Sequence, residues 1–152
     1  MVVESKAREL QVAVQAFVRT FGLLVTKQTP CGQPVSPSYA HALMLLCARE
    51  AAQQLTTQSE LAVELGLDKS SVARLCSRLE EDGRITQRAA PQDARSRLIE
   101  LTPDGRKMGA NIQGASLARF RKVLGAIPPA QRTGVLAALE SLTQAVASLE
   151  EE

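Results

Sequence analysis

Gln58-Ser-Glu-Leu-Ala62-Val-Glu-Leu-Gly66-Leu-Asp68-Lys-Ser-Ser-Val72-Ala-Arg-Leu-Cys-Ser77 is the stretch that decides the fold. Two short helices that cross closely need a small residue at the crossing, a turn residue that accepts left-handed backbone, and a branched apolar residue on the inner face of the second helix. Ala62, Gly66 and Val72 supply these in register, and Leu61, Leu65, Leu67 and Leu75 complete a shared core. Just upstream, Thr57-Gln-Ser-Glu60 has the spacing of a capping box, so a helix starts there and stops at Gly66. Asp68 caps the next helix, Lys69 to Asp82, and Gly83 closes it in a left-handed conformation. Residues 58–77 therefore read as a helix-turn-helix.

On a helical wheel Val72, Leu75, Cys76 and Leu79 share the buried face of the second helix, which turns Ser70, Ala73, Arg74, Ser77 and Arg78 outward. Such a face suits a major groove. Small residues let the helix sit deep, serine hydroxyls can meet phosphates or base edges, and an arginine can chelate guanine O6 and N7. Gln58 and Ser59 open the first helix, while Lys69 and Ser71 flank the start of the second, where the helix dipole favours phosphate. Glu80, Glu81 and Asp82 fall at the far end, clear of a DNA backbone.

Beyond Gly83 the periodicity changes. A run Arg84–Ala89, a polar tip Pro91-Gln92-Asp93 and a returning run Arg97–Leu101 predict a β-hairpin, the wing 84–101. It carries Arg88, Arg95 and Arg97 against Asp93, so a projecting ribbon is basic where it can lie along a duplex and place an arginine in the narrow minor groove. A helix-turn-helix followed at once by a basic hairpin is a winged helix, here about 36–102.

Outward from this centre the chain is helical. Val3, Ala7, Leu10, Val14, Phe17, Phe21 and Leu24 step by four and three along one stripe of a long first helix. Gln28 to Pro37 holds three prolines and a glycine and reads as a loop. Ser36 with Pro37 opens a nearly apolar second helix to about Ala52. Thr102-Pro103 opens another long helix through Met108, Ile112, Phe120 and Leu124, ending before Pro128-Pro129, and a last one follows with Val135, Leu139, Leu142, Val146 and Leu149 on a stripe. The expected fold is mainly α with a small β-hairpin wing, in one domain spanning 1–152, with helices at about 1–35 and 103–152 whose stripes call for a partner.

Composition narrows the function. A net charge of +2 is too mild to announce nucleic acid by itself, so the local clustering of arginines carries that inference. With 3% aromatic residues and no tryptophan, a single-strand surface of stacked rings is disfavoured and duplex DNA fits better. No run of eighteen apolar residues or secretory leader is visible, so no membrane association is expected and a cytoplasmic location is. One histidine and no glycine-rich phosphate loop leave no catalytic set, so an enzyme is not expected, nor a cofactor or a metal; Cys31, His41 and Cys47 lack zinc spacing.

Leu55-Thr-Thr-Gln-Ser-Glu-Leu-Ala62, Gly66-Leu-Asp-Lys-Ser-Ser71, Arg78-Leu-Glu-Glu-Asp-Gly83 and Asp93-Ala-Arg95-Ser96 through Leu101-Thr102 closely resemble the MarR family of regulators. The likeness covers the middle third residue by residue, and the helix order agrees across nearly all of the chain. It implies a homodimer joined through its terminal helices, binding a pseudo-palindromic operator, often as a repressor, and released by a small-molecule effector. It also implies that Asp93 and Arg95 brace the wing and reach the minor groove. Phe17, Phe21, Tyr39, His41 and Leu45 are the candidates to line an effector pocket.

Two other functions remain open at this point. One branch of the family senses peroxide through a cysteine in its first helix; this chain has none there, which leaves Cys31, in the proline-rich loop, as the redox candidate, whereas Cys47 and Cys76 fall on apolar faces as small hydrophobes. Peroxide release of DNA, prevented by Cys31→Ser, would mark a redox-responsive repressor. A winged helix can also serve as a protein-interaction module, marked by absence of salt-dependent duplex binding.

Overall fold

The computed structural model describes residues 1–150. The capping box forms as the spacing predicts: Thr57 Oγ1 accepts from the Glu60 amide at 3.2 Å and the Glu60 carboxylate accepts from the Thr57 amide at 3.3 Å. It launches α3, Gln58–Leu65, which Gly66 ends at φ +64°. After the turn, α4 runs over Lys69–Glu81, and Gly83 follows at φ +72°. Replacing Thr57 by alanine removes the hydroxyl that accepts from the Glu60 amide and is expected to cost about 1 kcal/mol, read as a lower urea midpoint at unchanged m.

Around this pair lie α1 (Val2–Phe21), α2 (Pro37–Ala51), β1 (Thr56–Thr57), β2 (Ile85–Ala90), β3 (Asp93–Leu101), α5 (Pro103–Ala126) and α6 (Pro129–Leu149). The chain divides within α5 into two compact units, Met1–Ala115 and Ser116–Glu152. In the first, α2 is the central helix, as its apolar sequence predicts: Tyr39, Leu43 and Leu46 join Leu61 of α3, Val72, Leu75, Cys76 and Leu79 of α4, Ile85, Ile99 and Leu101 of the sheet, and Ile112 of α5 in one buried core. Leu67, expected in that core, stands exposed beyond Gly66, because the αL turn carries it past the helix crossing; Leu65 packs against the core instead.

The hairpin is part of a three-stranded antiparallel sheet in the order β1-β3-β2. Thr56 and Thr57 pair with Ile99 and Leu98, a two-residue strand that local periodicity could not reveal because its partner lies some forty residues on. On the other edge, Ile85 faces Leu101 and Ala89 faces Arg97, with a register shift between Ala89 and Ala90 that leaves only Pro91 and Gln92 at the tip. The bulge re-aims the tip relative to the strands.

The first helix ends three residues earlier than its stripe suggests. Gly22 takes φ +93° and caps α1 after Phe21, so Leu24 lies outside the helix. Neither α1 nor α6 buries a single residue, and Leu10, Phe17, Leu139 and Val146 along the predicted stripes are exposed. In the second unit Arg132 Nε donates to the Ile127 carbonyl at 3.0 Å, holding the turn at Pro128 and Pro129.

Candidate nucleic-acid interface

The predicted buried face of α4, Val72, Leu75, Cys76 and Leu79, is buried, which leaves Ser70, Arg74, Ser77 and Arg78 exposed along the opposite side. The helix is held at its start by Asp68, whose carboxylate accepts from the Ser71 amide at 2.7 Å, Ser70 Oγ at 2.6 Å and Ser71 Oγ at 2.8 Å. The Ser70 hydroxyl foremost, then the Ser71 amide and hydroxyl, with the Arg74 charge nearby, hold this carboxyl well below the usual carboxylate range. The cap is therefore complete above the ordinary aspartate pKa of about 3.9 and is lost only in stronger acid. The Ser71 amide and hydroxyl, expected beside a phosphate, both donate to this carboxylate in the free chain.

The wing is braced from within. Asp93 Oδ1 accepts from the Arg95 amide at 3.0 Å and Oδ2 from Ser96 Oγ at 3.3 Å. The aspartate's acceptors are thus spent on the tip's backbone and hydroxyl, and Arg95 extends into solvent. Arg88 differs from its neighbours: its Nη2 lies 2.8 Å from Glu100 on the adjacent strand, so its charge is paired across the sheet. Arg97 is exposed on the same strand as Arg95.

Gln58, Ser59, Lys69, Asp93, Arg95, Ser96 and Arg97 line one open cleft of about 380 Å³ between the starts of α3 and α4 and the wing. Three cations against one internally engaged carboxylate give it a positive field, the electrostatics a phosphate chain requires. Six of the residues expected at a DNA surface are brought together here; Ser70, Ser71, Arg74, Ser77 and Arg78 belong to the face of α4, and Arg88 to the sheet edge.

Ser96 is an addition, carried by the same Asp93-Ala-Arg-Ser run that marks the wing. Two further positioning residues gave no local signal. The Gln58 amide donates to Gln87 Oε1, tying the start of α3 to β2. Arg49 donates to Thr56 Oγ1 at 2.7 Å, to the Leu55 carbonyl at 3.0 Å and to Glu60 at 2.9 Å, which fixes the end of α2 to β1 and α3.

The pocket candidates diverge in environment. Tyr39 is buried and its hydroxyl donates to Asp82 Oδ2 at 2.8 Å; burial, then this bond, pushes its pKa up. Asp82 is thus a tie between α2 and the end of α4 rather than an idle surface charge. His41 is exposed, Leu45 is half-buried against the core, and Phe17 and Phe21 stack on each other at 5.2 Å. Among the cysteines, Cys76 is fully buried, and burial pushes its thiol up to about 11; Cys47 is half-buried and raised by the same cause, with Glu50 adding to it. Both are poor nucleophiles at neutral pH. Cys31 is half-exposed in the loop before α2.

A three-helix core with a hydrogen-bonded hairpin beside the second helix of a helix-turn-helix defines the winged helix class. The model of the MarR family matches residues 33–96 of this chain. A protein of Thauera aromatica assigned to transcriptional regulation of the hcr operon is 30% identical over 86 residues, 57% of this chain and 52% of the relative. The chain thus matches about half the length of that relative. Among solved structures, Staphylococcus aureus MepR bound to DNA superposes with a TM-score of 0.65 at 17% identity, covering 95% of each chain. Bordetella bronchiseptica BpsR, whose DNA binding is regulated by 6-hydroxynicotinic acid, does so at 0.66 with 20% identity over 90% of this chain and 91% of its own. At these identities the likeness establishes the fold.

Proposed function

We propose that this chain is a sequence-specific duplex-binding transcription regulator, a homodimeric repressor of a pseudo-palindromic operator whose affinity is set by a small-molecule effector. The cleft that gathers Lys69, Arg95 and Arg97 beside the exposed face of α4 carries the proposal. In it α4 enters the major groove with Arg74 and Arg78 toward base edges, Lys69 and Arg97 neutralise phosphates, and Arg95 enters the adjacent minor groove.

The dimer is supported by α1 and α6, which bury nothing in the single chain although both carry apolar stripes. Two recognition helices about 34 Å apart then meet successive major grooves. An effector acts if it binds one separation of those helices better than another, since only differential affinity shifts a population. Phe17, Phe21, Tyr39, His41 and Leu45 remain its candidate contacts. No helix among the described residues is long and apolar enough to cross a membrane, which accords with work on a genome in the cytoplasm.

The test is selection of genomic fragments by purified protein, followed by a salt titration on the enriched duplex. A palindrome bound by two copies, weakening steeply with salt, is the expected result. Failure to enrich any duplex would overturn the proposal.

A further inference from the structure

Three serine hydroxyls on or beside the outward face of α4 already donate their O–H hydrogens to acceptors within the chain. An ionised carboxylate has no hydrogen to donate, so Ser70 Oγ and Ser71 Oγ are the donors in their 2.6 and 2.8 Å bonds to Asp68. Ser77 Oγ lies 3.0 Å from the Ala73 carbonyl, which only accepts, so it too is a donor inward. Ser71 also accepts from Arg74 Nη2 at 3.3 Å and is nearly saturated. Ser70 and Ser77 are exposed, and each presents lone pairs alone to an approaching molecule. The face therefore offers acceptors at Ser70 and Ser77, at the start and the middle of the helix, and N–H donors at Arg74 and Arg78.

We infer that Ser70 and Ser77 discriminate amino from keto bases in the major groove, accepting from adenine N6 or cytosine N4 and rejecting thymine O4 and guanine O6. This deepens the duplex-binding function proposed above and rests on it. Every base pair carries one amino-bearing and one keto-bearing base, so the discrimination is by strand: adenine or cytosine on the contacted strand, not thymine or guanine. The same bookkeeping of protons removes both serines from the phosphate contacts. A phosphate oxygen is also an acceptor, and turning Ser70 toward one would take its proton from Asp68, breaking a charge-assisted bond. Phosphates fall to Lys69 and Arg97, which can only donate.

The experiment is selection from a randomised duplex pool with the full chain and its S70A and S77A variants. Positions whose base preference disappears in a variant are those its serine reads. Adenine or cytosine is expected there on one strand. Replacing such an adenine by purine, which lacks the N6 amino group, should weaken the parent about fivefold, the worth of one hydrogen bond, and leave the corresponding alanine variant unchanged. The slope of affinity against salt should be the same for parent and variants, since no phosphate contact is lost. Thymine or guanine at those positions, unchanged selection by both variants, or uniform weakening with a salt slope shallower by about one would overturn the inference while leaving duplex binding intact. If the parent itself selects nothing, the duplex-binding function fails and this inference with it.

Discussion

Reversing one charge, Arg95→Glu, should lower operator affinity by at least about a hundredfold while leaving the fold untouched. The backbone of Arg95 is fixed by Asp93, whose oxygens accept from the Arg95 amide and the Ser96 hydroxyl, and the exposed side chain is left to meet a duplex in the function proposed above. Substitution removes one cation from the cleft it shares with Lys69 and Arg97 and places an anion where the potential of a narrow minor groove is most negative. In a homodimer the loss is doubled, because each wing carries the change. Arg74→Glu on the exposed side of α4 should have a similar effect through the major groove. Arg88→Gln is the informative control: Arg88 is already paired with Glu100, so its removal should weaken binding by only a few-fold. Filter binding or fluorescence anisotropy at several salt concentrations reads the affinities, and thermal melts confirm that the variants are folded. Binding of Arg95→Glu within threefold of the parent would show that the wing does not touch DNA.

Much of this was legible because the helix-turn-helix is written in local rules. Thr57 with Glu60, Gly66, Asp68 and Gly83 each fulfil a requirement that acts over a few residues, and each behaves as its spacing predicts. The cationic residues of the wing were legible for the same reason, since a hairpin must expose its tip. What stayed hidden depends on pairs distant in sequence. Arg88 could not be told from Arg95 until the sheet register set it beside Glu100. Gln87 and Arg49 act on α3 from other elements, and β1 is a strand only because β3 returns to it. The orientation of the serine protons was hidden in a different way. Asp68 was recognisable as a cap, but that it would also take the hydroxyl protons of Ser70 and Ser71 follows only from side-chain geometry.

The two glycines of α5 that lie at Gly105 and Gly114 should respond to the same substitution with opposite signs. Glycine inside a helix is ordinarily a weakness, and replacing it by alanine gains about 0.5–1 kcal/mol where there is room. Gly114 is exposed with nothing within 4 Å of an added methyl, so Gly114→Ala should stabilise by that amount. Gly105 lies against the Arg84 carbonyl, and a methyl there would overlap the carbonyl oxygen and carbon and come within 3.2 Å of Leu101 Cδ2. That carbonyl cannot retreat freely. It accepts from the Thr102 amide at 3.0 Å, while the Arg84 amide donates to the Leu79 carbonyl at 2.8 Å. Thr102 Oγ1 in turn donates to the Gly83 carbonyl at 2.6 Å and accepts from the Gly105 amide at 3.0 Å. The end of α4, the first residue before β2 and the start of α5 are thereby locked into one joint. Overpacking it and breaking one or two of these bonds should cost about 3 kcal/mol net of the helix gain. Urea midpoints at equal m would show the two shifts in opposite directions. Because the joint sets the angle between α4 and the wing, Gly105→Ala should also lose duplex affinity under conditions where it is still folded, and Gly114→Ala should not. A neutral Gly105→Ala would mean that the joint yields, and that the wing is not held at a fixed angle to the recognition helix.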